Sequence, residues 1–272
     1  MGKSFHYFRE LFLVYLLFWF SVAISQPNDR WLAGSAFELK GQVQTLYCFI
    51  ETPTDPWTPE EKDQMLSALN QAQEWLIVQA TEWNTHLSFN TQVLVDGRSL
   101  VIPQIASGTG SGKERVDWVS EITKLAGYGN SKRAYRKLSK AFNNKNIYLI
   151  IFAHADGMSY AMRFAKGMKK KKYFLEGAIL YQHYDNGTEM PLPAVIAHET
   201  LHMYGAWDLY TTYAQTPEKH AKAMEQYPND IMLRVGNDLS VLKIDNLTAW
   251  LMGWNQDQED IFEWFRPTDF RK

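Results

Sequence analysis

His198-Glu199-Thr200-Leu201-His202-Met203-Tyr204-Gly205-Ala206-Trp207-Asp208 is the stretch on which the reading of this 272-residue chain turns. In an α-helix, residues four apart lie one turn above each other on the same face, so His198 and His202 can hold one ion between them. Glu199 sits one step around from the first histidine. Its carboxylate can reach a water on that ion without taking a coordination position, which makes it the candidate general base. Gly205 comes three residues after the second histidine, where a helix is commonly stopped by a residue with positive φ. The chain can then turn back and bring Asp208 under the ion as a third ligand, leaving a fourth position open, as in a catalytic Zn2+ site. A bare His-Glu-x-x-His arises by chance in roughly one chain per hundred, and requiring the glycine and the acidic residue cuts that by about another hundredfold. Leu192, Val195 and Ile196 add an apolar stripe at helical spacing, and Pro191 and Pro193 suit a first turn, so a helix is predicted here. The bland alternative is an amphipathic helix with two surface histidines.

The pattern resembles the signature of the metzincin clan of zinc metallopeptidases. That signature is His-Glu-x-x-His-x-x-Gly-x-x followed by His or, in a minority such as the snapalysin-like enzymes, by Asp, here Asp208. The clan also carries a tight turn with a methionine beneath the zinc. Asn229-Asp230-Ile231-Met232 is similar in wording and position, with Met232 as the turn methionine; its other reading is a plain core methionine. Several relatives place a tyrosine two residues after that methionine, where it contacts the zinc. This chain has Arg234 there, which leaves Tyr210 or Tyr213 as replacements. The resemblance implies an α+β fold: a twisted mixed β-sheet with long helices, an active-site helix, the methionine turn and a small C-terminal subdomain.

The rest of the chain can be laid out against that expectation. Gln42 to Ile50 reads as a first strand and Trp57 to Trp83 as one long helix, with Pro59, Glu60 and Glu61 favouring its start and Met65, Leu66, Leu69, Trp75 and Leu76 on its buried stripe. Leu87 to Val95 reads as a second strand, followed by an Asp96-Gly97 turn. A helical region from Glu114 to Phe142 is predicted to break at Gly127-Tyr128-Gly129. Ile147 to Phe152 has the continuous apolar run of a central strand covered on both faces. Met158 to Phe164 and Ala178 to His183 complete the sheet. The resemblance implies an edge strand that pairs with extended substrate, and Ser159 to Phe164 is the candidate. Tyr210 to Pro228 reads as loop, and Val241 to Trp254 as a helix presenting Leu242, Ile244, Leu247, Leu251 and Trp254. One catalytic domain is expected from residue 26 to 272, divided into an upper part to about 204 and a lower part from about 205.

Lys3 and Arg9 precede an apolar segment, Leu11 to Ile24, and Ala23-Ile24-Ser25 offers small residues to a signal peptidase, so residues 1–25 read as a secretory signal. That segment is short for a membrane span, and no stable span is expected after cleavage. The lone Cys48 cannot form an internal disulfide, which favours a bacterial exported protein, extracellular or periplasmic. Its alternating apolar surroundings make it a buried thiol rather than a plug on the zinc. The formal charge of −2 becomes −3 when Lys3, Arg9 and Glu10 are removed, which gives no basis for nucleic-acid binding. Lys169 to Lys172 is a local cation cluster, read as a solvated hairpin tip. His154, Asp156, His183 and Asp185 form two His/Asp pairs two residues apart; a second structural metal is one reading, plain strand-end residues the favoured one. No Asp-rich loop of recognisable spacing points to calcium.

The function expected is a secreted zinc endopeptidase acting on protein or peptide substrates, with zinc on His198, His202 and Asp208 and Glu199 as base. Two alternatives stand beside it: a secreted binding or adhesion protein that keeps a peptidase fold without turnover, and a structural zinc, for which His220 is the one downstream histidine able to complete the shell.

Overall fold

The computed structural model describes residues 34–108, 116–163, 174–190, 192–212, 215–236 and 238–267. The expected secretory signal, Phe164, the Lys169–Lys172 cluster, Pro191 and Tyr213 lie outside the described residues.

Apolar runs build the sheet. β1 (Gly41–Glu51) is largely buried along its length. β4 carries the Ile147–Phe152 run on to Asp156, with its first eight residues buried, as a strand covered on both faces requires. The strand order is β2-β1-β4-β6-β5. β2 (Leu87–Val93), β1, β4 and β6 (Glu176–His183) are mutually parallel, while β5 (Tyr160–Met162) runs antiparallel to β6 at the edge. β3 (Leu100–Val101) pairs with the end of β1. The result is a twisted mixed sheet with, among the described residues, seven α-helices, which is compatible with the α+β class expected.

Parallel neighbours need a long crossover, and α1 (Pro59–Glu82) supplies the first. Its start is fixed by a reciprocal cap: Thr58 Oγ1 accepts from the Glu61 N–H at 3.2 Å, and the Glu61 carboxylate accepts from the Thr58 N–H at 2.8 Å. The predicted break in the second helical region is present, since α2 (Trp118–Leu125) and α3 (Ser131–Ala141) are separated by Gly127 and Gly129 at φ +81° and +83°. α4 (Leu192–Met203) then carries the histidine motif, packed against α1 and β6 and buried on most sides. Among the described residues, no helix is long and apolar enough to cross a membrane.

The C-terminal part departs from expectation in two places. Tyr210 to Pro228, read as loop, contains α5 (Pro217–Gln226), whose N-cap is Thr216. Val241 to Trp254, read as one helix, is α-helical only in α6 (Asn246–Met252), Val241 itself closing a 3-10 turn from Leu239. The residues before it are taken by another partner: Lys243 N–H donates to the Asn229 carbonyl, and the Ile231 N–H to the Lys243 carbonyl, each at 3.0 Å, so the backbone pairs with residues 229–231 in place of coiling. Leu242, Ile244, Leu247, Leu251 and Trp254 are nonetheless all buried. A further short helix, α7 (Asp260–Trp264), follows. Indole N–H groups fasten this part to residues before the histidine helix: Trp75 donates to the Leu239 carbonyl at 3.1 Å, Trp83 to Ile244 at 3.2 Å and Trp254 to Leu39 at 2.7 Å.

Candidate metal centre

α4 ends where the sequence places its stop. Gly205 has φ +104°, and the Ala206 N–H turns back onto the Leu201 carbonyl at 3.1 Å. That turn returns Asp208 to the histidines. Asp208 Oδ1 lies 3.0 Å from His202 Nε2 and 3.4 Å from His198 Nε2. Among the described residues, these three form the one group of three or more His, Cys, Asp or Glu side chains whose donor atoms lie within 4.8 Å of one another. Ligand atoms about 2.0–2.1 Å from a tetrahedral ion lie about 3.3–3.4 Å apart, so the separations fit a shared divalent ion.

The far nitrogen of each ring is also committed. His198 Nδ1 lies 3.2 Å from the Ile231 carbonyl, and His202 Nδ1 lies 3.0 Å from that of Ala206. A carbonyl can only accept, so both Nδ1 atoms carry a proton, and both Nε2 atoms face Asp208, where either a proton or a metal ion can bridge nitrogen and carboxylate. Backbone acceptors behind the ring are a common way to orient histidine ligands. The turn at 231–233 therefore supports the cluster through the Ile231 carbonyl. Met232 is fully buried in it, its carbonyl accepts from the N–H of Leu209, next to Asp208, at 2.9 Å, and its own N–H donates to Asp230 Oδ1 at 2.7 Å. Asp230 Oδ2 accepts from the Asp245 N–H at 2.8 Å, and Oδ1 also accepts from the Thr248 hydroxyl at 3.0 Å.

Glu199 is 6% exposed, and its Oε2 has no hydrogen-bond partner among the described residues. A buried carboxylate oxygen without a partner is costly, and a polar ligand or cation beside it relieves that cost. The orphan oxygen lies one residue from the ligand His198 on the same helix, and a water held by a metal ion there would offer it a donor. His198 is buried, whereas the side chains of His202 and Asp208 keep 15% and 27% exposure, so the cluster opens to solvent on one side. The Tyr210 ring lies over His198, with centroids 6.2 Å apart and planes 27° from parallel. Arg234 instead directs Nε to the Pro228 carbonyl at 3.3 Å.

Charge is balanced within the group. Burial opposes ionisation of Asp208, but His202 and His198 together hold its carboxyl well below the ordinary range. Burial likewise opposes protonation of His202, yet Asp208 outweighs it and raises the imidazole pKa. A proton and a metal ion thus compete for the same atoms, and metal affinity falls towards acid pH.

The other candidates are not brought to the cluster. His154 places Nδ1 3.1 Å from the Asp55 carbonyl and Nε2 3.3 Å from Glu61 Oε1. His183 pairs with Asp156 at 3.2 Å, while Asp185 is exposed. His220 Nδ1 lies 3.1 Å from the Thr211 hydroxyl. Cys48 is buried within β1, and burial pushes its thiol far above the ordinary range. One residue at the site escaped the sequence reading. Arg163, just after β5, places Nη1 3.3 Å from the His202 carbonyl and 3.4 Å from that of Ala206. No local pattern announces it, because the contact is made between segments about forty residues apart. No known protein-family profile matches the chain, and a search of curated proteins finds no match.

Proposed function

We propose that the protein is a secreted zinc-dependent endopeptidase of the metzincin kind, cleaving peptide bonds in protein substrates with His198, His202 and Asp208 as metal ligands and Glu199 as general base. The observation that carries this reading is the convergence of three donor atoms within 4.8 Å of one another, two of them on the helix that also carries the buried, unpartnered carboxylate oxygen of Glu199. Three protein ligands with a solvent-facing side leave a coordination position open, the arrangement of catalytic rather than structural zinc sites. When bound, zinc lowers the pKa of a water molecule and polarises a carbonyl group.

The chain's own residues supply the rest. Glu199 takes the proton of the attacking water and delivers it to the leaving amine, a single carboxylate serving first as base and then as acid. Burial keeps that carboxylate out of bulk water, so a proton held there stays in the site. Tyr210 flanks the ligand His198 with its ring. β5 is an edge strand of the sheet among the described residues, and an extended peptide added along such an edge would be gripped through its backbone regardless of sequence.

The test is hydrolysis of an unfolded protein such as casein by the purified chain, beside Glu199→Gln, with zinc content measured for both. The expected result is chelator-sensitive cleavage by wild type and a Gln variant that keeps its zinc but is slower by a factor of about 10²–10⁴. Equal rates would remove Glu199 from the mechanism. Zinc in both proteins with cleavage by neither would favour a non-catalytic binding protein.

A further inference from the structure

The turn that follows α4 is closed by several bonds on two carbonyl oxygens. The His202 carbonyl accepts from the Gly205 N–H at 3.1 Å and lies 3.3 Å from Arg163 Nη1. The Ala206 carbonyl receives His202 Nδ1–H at 3.0 Å and the same Arg163 nitrogen at 3.4 Å. A carbonyl oxygen has two lone pairs, so Ala206 can accept both bonds, and each restrains the direction left to the other.

We propose that Arg163 is a positioning residue for the metal ligand His202, spanning the carbonyls at the two ends of the His202–Ala206 turn and holding the acceptor that fixes the imidazole ring. This rests on the metal-site reading given above. A guanidinium suits the task because the two N–H groups on Nη1 are fixed in its plane, one for each carbonyl, whereas a lysine ammonium sits on a flexible stem and turns freely about its last bond. The position also suits a cation, since carbonyls at a helix C-terminus carry partial negative charge. Arg163 directly follows β5, so the same side chain ties the sheet edge to the ligand.

Charge and position act in opposite directions on metal binding. The positive charge repels a divalent ion, so its loss alone would tighten binding; the brace favours binding. Arg163→Lys keeps the charge and gives up the fixed plane of the two N–H groups, which isolates the positioning effect. Zinc affinity would be measured by competition with a chromophoric chelator for wild type, Arg163→Lys and Arg163→Gln, with the absorption spectrum of the Co2+ forms and the thermal midpoint of the zinc-free proteins alongside. Loss of a residue that supports a metal ligand typically weakens affinity about 10–100-fold, and that is expected of the Lys variant, with altered Co2+ bands and a nearly unchanged zinc-free midpoint. Arg163→Gln, which sheds the charge but keeps a planar donor, is expected to weaken binding less, and it carries the test if the Lys variant folds poorly.

Wild-type affinity and spectrum in both variants would overturn the inference, as would weakening that merely tracks a fall in the zinc-free midpoint. Zinc binding by wild type without peptide hydrolysis would sink the peptidase reading alone. Failure of wild type to bind zinc or cobalt would sink both.

Discussion

Two groups of histidines and carboxylates stand on this chain, and only one converges. His198, His202 and Asp208 meet at 3.0 and 3.4 Å, with both far ring nitrogens on backbone carbonyls. His154, Asp156, His183 and Asp185 have the same chemistry at the ends of β4 and β6, yet His154 spends both nitrogens on Asp55 and Glu61 while His183 faces Asp156. The difference lies in what holds the rings. On a helix, four-residue spacing aligns two side chains through local geometry alone, and a glycine turn needs three more residues to return a third. At strand ends, two-residue spacing sets which face a side chain takes and leaves its partners to the loops around it. Carboxylates then capture the imidazoles separately.

Removing one ligand from each group is the harshest test of that contrast. His202→Ala is expected to weaken zinc binding by more than about 100-fold, beyond the range for supporting residues, and to abolish hydrolysis. The pair His154→Ala and His183→Ala should leave zinc content at one ion per chain. Loss of zinc from the strand-end variants, measured by elemental analysis after dialysis, would mean that the two groups act on one site.

The same contrast explains what could be read without coordinates. The helix that carries both histidines and its stop at Gly205 follow from spacing and from glycine's tolerance of positive φ, whereas Met232 stood out only through the resemblance of its turn. The central strand followed from the length of its apolar run, and the break between α2 and α3 from two nearby glycines. α5 was missed although Thr216-Pro217-Glu218 repeats the Thr58-Pro59-Glu60 start of α1; no long apolar stripe followed it, so the cap signal stood without support. The overlong reading of α6 has the opposite cause. Residues 241–245 carry a plausible stripe, but their backbone is claimed by residues 229–231, a pairing no local pattern encodes. Arg163 was illegible for the same reason.

A milder break is Asp230→Asn, directed at the turn that orients His198. The amide nitrogen cannot accept from the Asp245 N–H, leaving a half-buried donor unpaired at a cost of about 1 kcal/mol, with weaker zinc binding as the Ile231 carbonyl shifts. The pH profile gives an independent reading. Burial pushes the Asp230 carboxyl up to about 7, against the hydrogen bonds from Asp245, Met232 and Thr248. The unfolded value is about 3.9, so between about pH 4 and 7 the folded state binds the proton more tightly. The contribution is complete below the lower value and lost as pH rises through the upper one. Urea unfolding across that window should show stability falling with pH in wild type and a flatter slope in the variant; identical slopes would mean that Asp230 does not titrate there.

The smallest effect separates the metal turn from the fold that carries it. Gly205 and Gly253 both end helices with positive φ, +104° after α4 and +74° after α6. A Cβ at such a position costs about 1–2 kcal/mol, so Gly205→Ala and Gly253→Ala should lower the unfolding free energy by similar amounts. Their consequences for zinc should differ. Relaxing φ at Gly205 moves the Ala206 carbonyl, which restrains His202, and the segment that returns Asp208, whereas Gly253 bears on no ligand. Weaker zinc binding is therefore expected in the first variant alone, at matched loss of stability. Equal weakening in both would show that the ligands respond to global stability, and that the geometry of this one turn is not what holds them together.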